Sequence, residues 1–375
     1  MRYAQQTKLD LTMYIERKLK NIPSKLTRLL KYFSQTKGKV PLHADHKTAV
    51  ITFSDRILNK DMGRYSFILS QVFKFSGFEP VLRVNEGFFA DDAPYKKMLL
   101  DQGFKLVRNT EEEEDTVVLQ EGGKRKKLIK FSYGYALIRH KIDGYYMPYT
   151  LHPRFYQGYL KASDFAIFRR QRRCARIIFA GNFERKLYNK SVLKEKFAGT
   201  ISRVEVLDHI DAKYAEDPAI LRSGSKEHLY GLLSAETARQ KFIISEARTP
   251  DDDWLSILSK SDFYLCLPGV RMPWSHNAFE AMAVGTIPIL QYNELFYPPL
   301  EHMKNSITYT SYESLDEAIQ SALAMSQEQV QSMKASVIEY FNTNLATERT
   351  VDKIESFFHS ESDSMCIALP FLEQS

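Results

Sequence analysis

Cysteine is scarce in this chain: three in 375 residues, Cys174, Cys266 and Cys366, far apart and odd in number. That spacing offers no metal-ligand pattern and a poor disulfide framework, so a reducing compartment is the natural setting. No window approaches the ~18 apolar residues of a membrane span. The opening MRYAQQTKLDLTMYIERKLK lacks the apolar stretch of a signal peptide. A cytoplasmic protein is expected, one that touches a membrane surface if it meets a membrane at all. Glycine (16) and proline (14) are too few for a collagen-like or linker-dominated chain. What is present is a globular balance, 44% hydrophobic and 26% charged, with 24 Phe and 21 Tyr to build cores. Lys and Arg (52) exceed Asp and Glu (46), a net charge of +6 that fits anionic small molecules, lipid or nucleic acid without choosing among them. The length suggests two domains.

Residues 1–40 read as a basic helical segment. Leu11, Met13, Tyr14, Leu19, Ile22, Leu26, Leu29, Leu30 and Tyr32 fall near helical spacing, with Arg17, Lys18, Lys20, Lys25, Arg28 and Lys31 between them. Such a face can lie on anionic lipid. A helix packed outside the fold with solvated lysines accounts for it more simply. Residues 41–160 show an α/β rhythm, beginning with the β-branched run Ala49-Val50-Ile51-Thr52-Phe53, read as a buried parallel strand. A polar loop, a helix over 65–75 closed by Gly77 and a strand at 80–84 complete a βαβ unit. A second α/β domain is expected over 161–345, opening with the strand Arg176-Ile177-Ile178-Phe179-Ala180-Gly181, with residues 202–207 read as its next strand. Residues 346–375 read as a C-terminal helix and tail.

The stretch 261–290, SDFYLCLPGVRMPWSHNAFEAMAVGTIPIL, carries the most information. A buried strand ends at Pro268-Gly269, a polar loop follows, a helix starts near His276 and stops at Gly285, and another buried strand begins at once. Ligands of open parallel sheets bind beyond the carboxyl ends of strands. The helix aims its amide-rich N-terminus at the same place. Gly269 would let an anion approach the backbone, and Glu280, one turn in, could accept from a pair of ribose hydroxyls.

The order strand, Pro-Gly, Ser275-x-Asn277-x-x-Glu280-Ala281, then Gly285-Thr-Ile-Pro-Ile resembles the donor-site signature of nucleotide-sugar glycosyltransferases of the two-Rossmann (GT-B) type, the exostosin-like group above all. The likeness covers roughly residues 176–310 and is only architectural over 47–130. It implies an α/β fold of two Rossmann-like domains facing across a cleft, with helical segments at both ends, the first domain for the acceptor and the second for the donor. One departure stands out: the group's Arg is Asn277 here, and Arg271 or His276 would have to supply the charge. By the same resemblance Arg185, shortly after Gly181, holds the donor diphosphate, for which a planar guanidinium is suited. The nucleobase lies against the loop containing Arg248. The donor-site set is then Gly181, Arg185, Arg248, Pro268, Gly269, Arg271, Ser275, His276, Asn277 and Glu280.

The resemblance implies sugar transfer from a nucleotide-sugar to a saccharide or lipid-linked saccharide acceptor, of hexosyltransferase kind, in surface polysaccharide, lipopolysaccharide or other glycan synthesis. No cofactor and no metal are expected, the nucleotide-sugar being a substrate. Asp55, in the loop after the first strand, is the candidate catalytic base for an inverting outcome; a retaining one needs none. An inactive nucleotide-sugar-binding module and an epimerase of the same fold stay open, and behind them a nucleic-acid-binding protein using the arginines at 169–176.

Other signals compete. Asp251-Asp252-Asp253 resembles a metal-binding Asp-x-Asp, yet capping of the following helix explains it. The run Arg169, Arg170, Arg172, Arg173, Arg176 could bind nucleic acid, but no nucleic-acid motif accompanies it, so a solvated interdomain segment is expected and no nucleic-acid partner. Lys124–Lys127 reads as a hairpin-like loop balancing the acids at 111–115. His152-Pro153 reads as a buried histidine in a turn.

Overall fold

The structure is a computed structural model that describes residues 26–27, 30, 32, 36–37, 47–53, 62–84, 86–89, 93–108, 116–121, 125–133, 143–181, 184–188, 192–235, 238–247, 249–270 and 272–370. It is a mixed α/β protein of two compact units. One unit comprises the residues up to Met147, Pro153–Tyr159 and Thr350–Ser375; the other comprises Pro148–His152 and Leu160–Arg349. The chain therefore alternates between units rather than dividing once near residue 160. Most of the expected basic segment 1–40 lies outside the described residues, as does Asp55.

In the first unit, strand β1 (Thr36–Lys37), β2 (Lys47–Thr52), helix α1 (Arg64–Phe75), β3 (Glu79–Val84), α2 (Pro94–Asp101) and β4 (Lys105–Arg108) form parallel crossovers. β2 pairs in parallel with β3, Val50 opposite Val81, as its buried β-branched run predicts. The antiparallel hairpin β5 (Thr116–Glu121) and β6 (Arg125–Tyr133) then joins its other side, Val118 opposite Val50. With β7 (Tyr145–Tyr146) the sheet reaches eight strands only through the C-terminal residues: β14 (Ser364–Leu369) inserts between β6 and β7. The expected tail is thus a strand. Lys127 is a correction too. It lies within β6, 4% exposed, and its ammonium donates to the carbonyls of Ser360 and Ser362 and stands 3.6 Å from the Asp363 carboxylate; the acids at 111–115 lie outside the described residues.

The second unit holds a six-stranded all-parallel sheet in the order β13-β12-β11-β8-β10-β9. In chain order its elements are β8 (Ala175–Ala180), α3 (Arg185–Tyr188), α4 (Arg203–Lys213), β9 (Ile220–Ser223), α5 (Lys226–Ser234), β10 (Phe242–Ser245), α6 (Trp254–Leu258), β11 (Ser261–Leu265), α7 (His276–Ala283), β12 (Ile287–Leu290), β13 (Ile307–Thr308), α8 (Tyr312–Ala324), α9 (Gln327–Tyr340) and α10 (Thr347–His359), whose last ten residues belong to the first unit. Every residue of β8, β10, β11 and β12 is buried, as strands covered on both faces must be.

Residues 202–207 are not a strand. Ser202 and Glu205 form a reciprocal capping box that starts α4, and buried Val206, Leu207 and Ile210 follow on one helical face. The arginine run is likewise not solvated throughout. Arg173 donates to the carbonyls of Ser259, Ser261, Val284 and Gly285 and to Thr286 Oγ1, at 2.5–3.1 Å. Arg169 reaches the Ala283 carbonyl (2.8 Å) and Asn342. Arg176 pairs with buried Asp262 (3.0 Å). The carbonyls that close α6 and α7 lack intrahelical partners, and a guanidinium satisfies them while meeting the negative end of each dipole. Only Arg170 and Arg172 are exposed.

Candidate functional site

β8 and β11 are neighbours, Ile177 opposite Phe263, and the chain leaves β8 for one side of the sheet and returns through β11 to the other. The order reverses at this point, which places the crevice of an open parallel sheet beyond Ala180-Gly181 and Leu267-Pro268-Gly269.

The principal cation there is one the sequence reading passed over. Arg203, the first residue of α4, is 4% exposed. Its Nε donates to the Pro268 carbonyl at 3.2 Å, its guanidinium lies 4.0 Å from the Tyr188 ring centroid, and Nη1 would stand 3.7 Å from any Cβ at Gly181. Burial lowers its pKa, opposed by Tyr188 and Tyr264. Arg203, Arg185, Tyr188, Val204 and Leu207 line a small, shallow hollow. Arg185 is largely exposed and holds Asp208 through two hydrogen bonds, 2.9 and 2.5 Å, which with Asp208's charge raise its pKa. The signal for Arg203 was the capping box just before it, hidden by reading residues 202–207 as a strand.

The second cluster is built on α7. Glu280 is fully buried. Its Oε2 accepts from the Trp254 indole of α6 at 2.6 Å and its Oε1 from the backbone amide of His152 at 2.8 Å. His152 therefore arrives through its main chain, and its half-buried ring lies 5.0 Å from that of His276. Tyr149, from the same short segment, meets the rings of Trp274 and Phe279. His276 Nδ1 sits 2.7 Å from Asn277 Oδ1 and 3.8 Å from Glu280. Asn277 Nδ2 donates to Tyr264 (3.1 Å), whose hydroxyl donates to the Ala180 carbonyl (2.8 Å). Burial pushes the Tyr264 hydroxyl far above its ordinary pKa, so it stays protonated. Hydrogen bonds thus run from the end of β8 to His276, and a 3.8 Å contact separates that chain from the Glu280–Trp254 pair on α6.

The remaining expected residues fall as follows. Gly269 closes its own loop: its amide donates to Met272, and a Cβ would stand 2.9 Å from the Trp274 carbonyl, so backbone crowding demands glycine here. Ser275 is the α7 N-cap by position, without a side-chain cap. Pro268 is buried and supplies the carbonyl that Arg203 holds. Gly181, Pro268 and Arg203 come together at one edge; His276, Asn277 and Glu280 form the neighbouring network. Arg248 and Arg271 lie outside the described residues. Asp253 stands at the α6 N-cap, but its carboxylate goes to Tyr230 (2.5 Å) and Lys226 rather than to helix amides, so side-chain capping does not explain it. Trp274 Nε1 is buried with no acceptor among the described residues. Among those residues no group of three or more His, Cys, Asp or Glu is placed to hold a metal ion, and no helix is long and apolar enough to cross a membrane.

No protein-family model matches the chain. No curated protein matches it either. Solved structures with a distant likeness include Anabaena HepE in complex with UDP-glucose, 12% identical, covering 83% of this chain and 100% of that one at a TM-score of 0.43. An alpha-glucosyltransferase in complex with UDP and a 13-mer DNA is 13% identical, covering 83% and 99% at 0.39. A mutant of S. aureus TarM in complex with UDP is 12% identical at 0.33; the match covers 51% of this chain and 37% of TarM. The site stands on its own residues.

Proposed function

We propose that the chain is a GT-B type glycosyltransferase that moves a sugar from a nucleotide-sugar to a hydroxyl of a saccharide acceptor. The observation that carries this is Arg203: a buried guanidinium held at the reversal point of a parallel sheet, between Gly181 and the Pro268 carbonyl, beside a hollow it shares with Arg185. A cation kept there against its desolvation suits a pyrophosphate whose oxygens match its donor fork. As the acceptor oxygen bonds to the sugar's anomeric carbon, the bond from that carbon to phosphate oxygen breaks, and the nucleoside diphosphate leaves carrying the electron pair. Arg203, Arg185 and the first amides of α7 stabilise that charge, with no metal required. The acceptor's proton goes to Asp55 if configuration inverts. The exostosin-like pattern over 176–310 supports the same reading, and glycan assembly on a saccharide or lipid-linked acceptor is its setting.

The test is thermal stabilisation by UDP-, GDP-, CMP- and TDP-sugars. One nucleotide should raise Tm, and Arg203→Lys should lose most of the shift while remaining folded, because an ammonium cannot reproduce the planar fork. An absence of stabilisation by all four refutes the proposal.

A further inference from the structure

Tyr292 keeps a backbone conformation that bulky side chains avoid. It follows the end of β12 with φ 60° and ψ 44°, the left-handed region where a Cβ crowds the next carbonyl and glycine or asparagine is the usual occupant. Its own carbonyl accepts from the Leu295 amide at 3.1 Å, which opens the turn over Asn293–Leu295. A glycine would make that turn without strain, so the tyrosine is there for its side chain. That side chain crosses to the segment before α4. The Tyr292 hydroxyl meets Thr200 Oγ1 and lies 3.2 Å from the Phe197 carbonyl and 3.1 Å from that of Ala198, and its ring meets Phe197 edge-on, centroids 5.7 Å apart. Buried Gln291, one residue earlier, accepts the Ile201 amide on its Oε1 at 3.2 Å. The two side chains thus suspend residues 197–201, which turn at Gly199 (φ 82°), from the carboxyl end of β12. Ser202 then caps α4, and Arg203 reaches the Pro268 carbonyl, with Nη2 3.4 Å from that of Leu267, beyond the end of neighbouring β11. The guanidinium is therefore located from two adjacent strands: by its own donors beyond β11 and by the backbone behind it beyond β12.

We propose that Gln291 and Tyr292 are positioning residues for a diphosphate: they fix the start of α4 so that the Arg203 fork is set for two phosphate oxygens, and the strained backbone at Tyr292 is kept for that placement. This rests on the nucleotide-sugar reading, in which Arg203 meets the diphosphate, and adds the device that holds it. Neither side chain has to touch the ligand. A planar fork pairs with two oxygens only within a narrow range of orientations, so a small shift of the helix start loses the paired contact while the fold persists.

Calorimetric affinities for UDP and inorganic pyrophosphate test this. Tyr292→Phe keeps the ring and loses the hydroxyl; Gln291→Met keeps the bulk and loses the acceptor. Each should bind both ligands about tenfold more weakly, the scale of one lost charge-assisted hydrogen bond. A merely structural role would lower Tm and leave the affinity of the folded protein unchanged. In an Arg203→Lys background, Tyr292→Phe should weaken binding less than about twofold, because the fork it places is gone. Hydrogen exchange gives a readout without ligand: the Ile201 amide should exchange about tenfold faster in Gln291→Met, and Gln291→Glu, which keeps an acceptor oxygen, should restore the wild-type rate. Full affinity in both single variants, losses that persist undiminished in the Arg203→Lys background, or an unchanged Ile201 rate in Gln291→Met overturns the inference, and the nucleotide-sugar reading then survives wherever UDP still binds. If pyrophosphate binds with the expected losses and no nucleotide or nucleotide-sugar binds, the inference stands and that reading falls. If nothing binds the wild-type chain, both fall.

Discussion

Glu280→Gln separates a carboxylate that organises the site from one that waits for a ligand. Glu280 is fully buried, and its oxygens accept the N–H groups of Trp254 and of the His152 amide. Hydrogen bonds to a charged acceptor contribute about 1.5–3 kcal/mol each, against about 0.5–1.5 kcal/mol for neutral ones. Glutamine keeps one acceptor and sets an NH2 against the other donor, which strands a buried N–H at a further cost of about 1–3 kcal/mol. The expected loss is about 2–4 kcal/mol, a large share of a marginal fold. A carboxylate reserved for ligand hydroxyls behaves oppositely: removing an uncompensated buried charge is neutral or stabilising. Urea unfolding followed by tryptophan fluorescence is the assay. Both tryptophans, Trp254 and Trp274, belong to the second unit, so the signal reports that unit alone. Indole proton spectra add a local readout: the carboxylate-bonded Trp254 resonance should lie downfield of Trp274 and move upfield in the variant. A stability change below about 0.5 kcal/mol with an unmoved Trp254 resonance would refute the reasoning.

Arg173→Met should cost about 3–5 kcal/mol in the same assay, because it strands carbonyls that end both α6 and α7; Arg173→Lys should recover less than half, since three ammonium protons cannot serve five acceptors. Burial would push Asp316 up, but hydrogen bonds from Lys213, His209 and Tyr214 outweigh it and hold the carboxyl below its ordinary pKa. A depressed folded pKa gives stability that is present above about pH 4 and is lost as pH falls through the lower folded value; Asp316→Asn should remove that acid-side dependence in urea unfolding measured between about pH 6 and about pH 3.

Much of the second unit was legible because its strands are continuous apolar runs bounded by glycine and proline, a pattern that only a covered parallel sheet tolerates. The exceptions have local causes. Residues 202–207 carry two valines and a short alternation, Val204-Glu205-Val206, that suits a strand, whereas the capping box Ser202–Glu205 decides for helix. The arginines at 169, 173 and 176 were read from charge alone, whereas their partners are mostly carbonyls, which sequence cannot reveal as orphaned until the helices that expose them are placed. β14 was invisible because its pairing with β6 spans over two hundred residues and no local signal specifies a parallel partner at that distance.

The same physics explains why Glu280 and His276 both looked like ligand contacts. Sequence places both on the first turns of a helix that aims at the sheet edge, and spacing alone cannot say which side chain turns inward. Helical geometry puts residues four apart on one face, so Glu280 and His276 share a side of α7. Tyr264 and Trp254 already fill the space beneath that face with a fixed acceptor and a fixed donor. The longer, charged side chain takes the buried donors, since leaving them unmet would cost more than desolvating one carboxylate that receives two strong hydrogen bonds. The histidine, at the helix start and partly exposed, keeps its Nδ1 against the Asn277 side-chain oxygen. Buried charge fixes geometry here, because the carboxylate and its two donors hold α6, α7 and the segment Pro148–His152 to one another.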